Sequence, residues 1–431
     1  MTIYAGCGQL SAPAADNGHG DDMHRNEATE PSTVETASAD PALTPGRPGD
    51  LPPHRAEATA AGDDTRVTLR GPGELADALP YLLGYHPDDS IVLVALHGPR
   101  HRVGGRVRTA LPASPDSWDD TVREMVACLS EGSAARTGQP TAMVLYLCQD
   151  PRADETPGQV MERLRPLAQL VRTTCGARDV PVLEALCVSG GRYFSYCCPQ
   201  GACCPPDGFP LREGETPTIA AAAAYAGVRV QGSLKELERR VGPLGEPIAG
   251  RQLHAFDVTA RTLVPRMLGR GGAAEAVRSE TLAVAERVLT RYRRGGLGGT
   301  DQPAADARDD SLLTSHEAAA LVLGLQDRVT RDRAARWMEG ERGREAARLW
   351  RALARRCVGA FEGHAPAPLT LAGWTAWSLG EDAAARVAIG RALELDPDYT
   401  FARLLHHAVN DGMDPEPLRR CMREGGTPAT P

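Results

Sequence analysis

The chain has 431 residues, with 48 basic side chains against 56 acidic ones and a formal net charge of −8. Eleven of the acids but only three arginines fall within residues 1–64, so that segment carries the whole acid excess, while the other 367 residues hold 45 charges of each sign. A balanced body excludes a protein built to coat nucleic acid or an anionic membrane, both of which need a basic excess. No apolar run reaches the roughly 18 residues of a membrane-spanning helix.

At about 150 residues per domain, the body is long enough for two domains or three. Hydrophobic residues make up 42% of the chain and aromatics only 4%, so the cores must be built from Leu, Val and Ala. One basic residue out of 48 is a lysine, Lys235. A bias of that breadth reads as the mark of a GC-rich genome and does not by itself define a site. No basic stretch followed by an apolar one opens the chain, so the expected location is cytoplasmic, with the 11 cysteines mostly reduced.

Residues 1–64 are rich in Pro, Ala, Gly, Asp and Glu and nearly lack large apolar side chains. Such a segment cannot bury enough surface to offset its ordering entropy, and it is expected to be a disordered acidic tail. Val67-Thr68-Leu69 reads as a short strand. Leu75, Leu79, Leu82 and Leu83 then recur on one helical face, with Pro80 marking a kink or the start of a second short helix. Ile91–Leu96 is continuously apolar, as a strand buried on both faces would be. Val103–Leu111 alternates weakly and reads as an edge strand. Residues 118–129 are helical, 143–147 form another buried strand, and Val160, Leu164, Leu167 and Val171 mark a second helix. Residues 182–188 form a strand that Gly190-Gly191 turns back into 192–196. Strands alternating with helices predict an α/β domain with a mixed or largely parallel sheet over 65–242.

Beyond Pro247 the strand pattern ends. Residues 243–310 read as a linker and connecting helix, with a mobile Gly-rich and acidic link over 294–310. Residues 311–431 read as an all-α domain. Within it, Gly373, Trp377, Ala385 and Ala392-Leu393-Glu394-Leu395-Asp396-Pro397 follow the small-residue and terminal-proline pattern of a tetratricopeptide hairpin. One good repeat and a weak second start predict a helical-hairpin bundle. Trp374 and Trp377 share a helix face and belong in its core. The arginines of residues 266–356 are interleaved with acids and read as solvated helix faces laced with i,i+4 pairs.

Two places hold chemistry-bearing residues. The loop Gly84–Ser90 carries Tyr85, His86, Asp88, Asp89 and Ser90. His86 with Asp88 or Asp89 has the composition for acid–base or ligand-binding work. The simpler reading is an Asp-rich turn in which Asp89 or Ser90 caps backbone amides. The loop precedes its strand, whereas ligands in open α/β sheets sit at the carboxyl ends. The second place is Cys197, Cys198, Cys203 and Cys204, four thiols in eight residues. Zinc prefers four tetrahedral ligands delivered in such hooks, with Cys187 or Cys175 as helpers. Reduced thiols packing a turn and a redox disulfide are the other two readings. No phosphate loop, dinucleotide fingerprint or nucleophile elbow occurs, and no catalytic residue is assigned.

Gly71-Pro72-Gly73-Glu74-Leu75 with Leu79-Pro80-Tyr81-Leu82-Leu83-Gly84-Tyr85-His86-Pro87-Asp88-Asp89-Ser90 resembles the opening block of the actinobacterial domain of unknown function 4192. Arg192–Cys197 with Cys203–Gly208 is similar to its central block, and Ala376-Trp377, Gly380 and Ala392–Pro397 to its closing block. The resemblance spans about 65–425 and implies no assigned activity. The expected function is a non-catalytic protein-interaction or regulatory role, with a protein partner on the helical domain. An enzyme or small-ligand binder using the 84–90 loop is one alternative, and a zinc-binding or thiol redox-sensing module is another.

Overall fold

The computed structural model describes residues 69, 71–198, 205–212, 221, 223–224, 229–269, 272–296 and 302–424. The acidic tail, the strand expected at 67–69 apart from its last residue, and Cys203 and Cys204 lie outside the described residues.

The N-terminal half is built on a six-stranded mixed sheet in the order β2-β1-β3-β4-β5-β6. The strands are β1 (Ser90–His97), β2 (Arg102–Ala110), β3 (Ala142–Cys148), β4 (Val182–Ser189), β5 (Arg192–Ser195) and β6 (Phe209–Pro210). Only β3 and β4 run parallel, and every other neighbouring pair is antiparallel. Strands β1 and β3 are apolar throughout because both sheet faces are covered. Ile91, Leu93, Met143, Leu145 and Leu147 pack under α2 (Trp118–Thr137) and α3 (Pro157–Gly176). Val92, Val94, Leu96, Val144 and Tyr146 pack under the apolar stripe of α1 (Pro72–Leu83). Each fully buried Val, Leu or Ile contributes on the order of 1.5–3 kcal/mol, so this double layer dominates the stability of this half.

Helix α1 runs unbroken through Pro80. Gly84, at φ 85°, closes it in the left-handed conformation, and its N–H donates to the Pro80 carbonyl at 2.7 Å. Gly190 and Gly191, at φ 56° and 70°, make the two-residue β4–β5 turn. Two successive positive φ values match the right-handed twist of a hairpin, which is why glycines stand there.

The C-terminal half is all helical. It comprises α4 (Leu234–Arg239), α5 (Ile248–Met267), α6 (Ala273–Arg294), α7 (Gln302–Ser311), α8 (Ser315–Gly324), α9 (Arg328–Ala334), α10 (Gly340–Arg356), α11 (Pro366–Ser378), α12 (Asp382–Leu395), α13 (Thr400–Asn410) and α14 (Glu416–Glu424). Helices α11 to α13 show the repeat-like packing expected of the hairpin. A Cβ on Gly373 would stand 2.4 Å from Ile389 Cγ1, so the glycine lets α11 and α12 approach closely. Trp374 and Trp377 are buried edge to face at 5.8 Å, and the Trp374 indole donates to the Ala335 carbonyl at 2.8 Å. Every residue of α11 is buried, which makes it the central helix and removes any polar stripe from its sequence.

Two arrangements depart from the sequence pattern. The acidic stretch after residue 300 is helical from Gln302, and its Asp309 and Asp310 are buried. The arginine pairs in this region run mainly between helices, and the strongest are buried where solvated i,i+4 pairs were expected. Arg348 grips Asp309, and Arg355 forks onto Asp310 at 3.0 and 3.1 Å. Arg356 donates to Gln252 Oε1 and to the carbonyls of Asp310 and Leu313. Guanidinium forks supply the several donors that buried carboxylates and helix ends require.

The two halves belong to one compact unit. Ala383 of α12 joins the apolar cluster on the α1 face of the sheet. The Ala384 N–H donates to Gln231 Oε1 at 3.1 Å. Among the described residues no helix is long and apolar enough to cross a membrane.

Candidate functional site

Because β1 is antiparallel to β3, Ser90 at the start of β1 lies opposite Cys148 at the end of β3. Strand β4 runs parallel to β3 and ends beside it, with the Gln149 N–H donating to the Val188 carbonyl at 3.0 Å. The 84–90 loop therefore lies at the carboxyl edge of β3 and β4, where α/β sheets place their ligands. The position of the loop before its own strand pointed the other way, because strand direction was not visible in the sequence.

The loop is stitched to the segment that leads into α4. His86 N–H donates to Gly232 O and Leu234 N–H to His86 O, both at 2.9 Å, and Gln231 N–H donates to Gly84 O at 2.8 Å. Asp88 accepts the Lys235 backbone N–H at 2.9 Å, which satisfies an otherwise orphan donor in the first turn of α4. Ser233 and Glu236 complete that end as a capping box. This pins Lys235 above the loop.

Asp89 is the centre of the arrangement. Its backbone lies in the left-handed region at φ 37°. Its carbonyl accepts the Leu111 N–H at 2.7 Å. One carboxylate oxygen meets Lys235 Nζ at 2.7 Å and the other accepts Gln149 Nε2 at 3.0 Å. Gln149 is oriented in turn by Arg163 Nη1 at 2.9 Å, and Arg163 is forked onto Glu155. Partial burial pushes the Asp89 carboxyl up, but the hydrogen bonds from Lys235 and Gln149 outweigh it and hold the group below the usual aspartate range. Its hydrogen bond to Asp89 raises the Lys235 ammonium. Both groups are thus charged at neutral pH, and the side chains of Lys235 and Asp89 keep 53% and 45% of their surface exposed.

The other expected site residues divide by burial. Ser90 is fully buried, donates to the Asp88 carbonyl and accepts from Arg108 Nε at 2.9 Å. Tyr85 is fully buried in the core under α1, out of reach of a ligand at the edge. His86 is half-buried. Gln149, Arg163 and Lys235 were not singled out as site residues from the sequence. The one available signal was Lys235 itself, the single lysine in an arginine-rich chain.

The cysteine group looks different. Cys197 is a half-buried free thiol whose backbone N–H donates to Ser195 Oγ at 3.1 Å. Cys198 is disulfide-bonded, and a disulfide sulfur cannot act as a thiolate ligand. The two suggested helpers, Cys175 and Cys187, are buried free thiols that burial pushes up to about 12. Cys175 Sγ rests 3.6 Å from Met143 Sδ. Among the described residues no group of three His, Cys, Asp or Glu side chains could hold a metal ion. Cys203 and Cys204, the other half of the expected set, lie outside them.

A mixed sheet with a polar carboxyl edge, joined to a bundle with repeat-like helical hairpins, defines a two-part α/β and all-α protein. Residues 72–416 match the family model described as Domain of unknown function (DUF4192), and the chain belongs to that family. No curated protein and no solved structure matches the chain.

Proposed function

We propose that the protein binds a small polar molecule at the Asp88–Asp89–Lys235 edge of the sheet. The observation that carries this reading is the convergence on Asp89 of a left-handed backbone, an oriented amide and the chain's only lysine. Asp tolerates the left-handed region better than most residues, and a half-exposed ion pair contributes only about 0–1 kcal/mol, so the pair adds little to the fold. The pair offers an acceptor and a donor side by side. It suits a ligand with one donor for Asp89 and one acceptor for Lys235. Asp150, whose carboxylate holds the Gly190 N–H at 2.9 Å, frames the far side of the edge.

The test is thermal-shift screening of the full chain against nucleotides, sugars, amino acids and polyamines, followed by titration calorimetry of any hit. A compound that stabilises the wild type, and loses at least tenfold in affinity in Lys235→Met and Asp89→Asn, supports the reading. Hits that bind both variants as tightly as the wild type overturn it.

A second reading keeps a protein partner on the helical half. It is supported by apolar side chains left in solvent there, Leu268 at 80% and Leu404 at 65% exposed. Leu268→Glu and Leu404→Glu should then each reduce co-purification of the same partner. Because both halves pack into one unit, point changes test this better than truncation does.

A further inference from the structure

Asp89 differs from the carboxylates beside it in how its oxygens are used. Asp88 and Asp150 each spend an oxygen on a backbone N–H, that of Lys235 and that of Gly190. Asp89 turns both oxygens to side chains, Oδ2 to Lys235 Nζ at 2.7 Å and Oδ1 to Gln149 Nε2 at 3.0 Å. The sense of the Gln149 amide is dictated by its neighbours. A guanidinium can only donate, so Arg163 must face Oε1, which it meets at 2.9 Å. A carboxylate can only accept, so Asp89 must face the amide NH2. Glu155 holds Arg163 in place through two bonds, at 2.7 and 2.9 Å. The edge therefore presents a donor, two acceptors and a donor, in the order Gln149, Asp89 Oδ1, Asp89 Oδ2 and Lys235. An amide nitrogen and an ammonium each carry more N–H bonds than the one given to Asp89, and each carboxylate oxygen has a further lone pair.

We infer that the molecule bound at this edge carries two adjacent hydroxyl groups, as a sugar, a polyol or the ribose of a ribonucleoside does. The inference rests on the ligand reading given above and names the class of that ligand. A hydroxyl donates and accepts at the same oxygen. One hydroxyl donates to Asp89 Oδ1 while accepting from Gln149, and its neighbour donates to Oδ2 while accepting from Lys235. A vicinal diol thus satisfies all four positions at once. An ammonium offers only donors and meets the donors of Gln149 and Lys235 head-on. A carboxylate offers only acceptors and is repelled by Asp89. An amino acid satisfies Lys235 and one oxygen of Asp89 but leaves Gln149 unused. The Asp89–Lys235 pair is neutral in sum, which matches an uncharged ligand. Acidic side chains at the carboxyl edge of α/β sheets bind ribose hydroxyls in this manner.

The experiment is thermal melting and titration calorimetry of the full chain with compounds that differ by one hydroxyl. Ribose is set against deoxyribose and ribonucleosides against deoxynucleosides, with inositol as a polyol and with glycine and putrescine as amino acid and amine probes. A response to ribose or inositol assigns a sugar or polyol, and a response confined to ribonucleosides assigns a ribose with its base. Loss of one hydroxyl should cost about tenfold in affinity, as for a hydrogen bond to a charged group. Gln149→Glu keeps the side-chain shape and the bond to Arg163 but faces Asp89 with an oxygen, and in a folded protein it should cost the diol about tenfold as well. Deoxy forms that bind as tightly as the diols, no diol response at tens of millimolar, or an undiminished diol affinity in folded Gln149→Glu overturns the diol class. Glycine or putrescine binding that is lost in Lys235→Met and Asp89→Asn, with no response to diols, overturns the class alone and leaves the ligand reading standing. Diol binding undiminished in both of those variants overturns the two together.

Discussion

The two halves handle polar groups in opposite ways. The sheet half has an apolar interior and keeps its charges at the surface, among them the pair of Asp89 and Lys235 at the sheet edge. The helical half draws charges inside, where Arg355, Arg356, Asp309 and Asp310 are nearly inaccessible. The difference separates what a charge does for the fold from what it offers a ligand. The buried pairs with α10 hold α7, a helix whose buried residues are Asp309 and Asp310. The edge pair contributes little to stability and remains open to solvent.

The largest effect should come from breaking the buried network. Arg355→Ala leaves Asp310 as an unpaired buried carboxylate and should cost on the order of 3–5 kcal/mol in urea unfolding. Burial pushes the Asp310 carboxyl up even with Arg355 beside it, so Asp310→Asn should cost clearly less than Arg355→Ala. Equal costs would mean that the pair is not the support of α7.

Next is the helical hairpin. Gly373→Ala places a methyl against Ile389 and the Ala385 carbonyl, and should cost about 1–3 kcal/mol by overpacking. Pairing it with Ile389→Val should recover part of that loss. A neutral Gly373→Ala would show that α11 and α12 can separate freely.

A pH effect of similar or smaller size should come from His406 on α13. Burial, reinforced by His407 and Arg386, lowers this imidazole from 6.5 to about 4. Its Nε2 lies 2.9 Å from the Asn410 amide. Between those pH values the unfolded chain binds a proton that the folded chain refuses. The stabilisation is complete above pH 6.5 and is lost as pH falls toward 4, by at most about 3 kcal/mol. Thermal melts of His406→Gln across that window should show a shallower acid loss than the wild type.

The smallest effect belongs to the edge. Lys235→Met should change stability by less than about 1 kcal/mol, as expected for an exposed pair. A large drop in its melting temperature would erase the contrast between the halves and make the Asp89–Lys235 pair a structural clasp.

Most of the fold was legible in local pattern. Ile91–Leu96 and Met143–Leu147 are apolar at every position, as doubly covered strands are. The pattern from Gly373 to Pro397 marked a close helical hairpin through its small residues. Helix α7 was not legible, because Asp309 and Asp310 sit where an apolar stripe would announce a helix, and their partners Arg348 and Arg355 lie about 40 residues away. At the candidate site Asp88, Asp89 and Ser90 were visible as turn chemistry. Gln149 and Lys235 were not, since nothing local brings positions 89, 149 and 235 together.

The periods of 2 and 3.6 residues, the glycine turns and the charge-balanced body follow from the chain alone, because each is set by interactions within a few residues. The direction in which β1 enters the sheet, and hence the end at which its loop emerges, came from pairing with β3 some 50 residues on. The same long-range packing gave Arg342, Arg348, Arg355 and Arg356 of α10 their partners on other helices. Backbone conformation is selected locally, but a charge's partner depends on which helices meet.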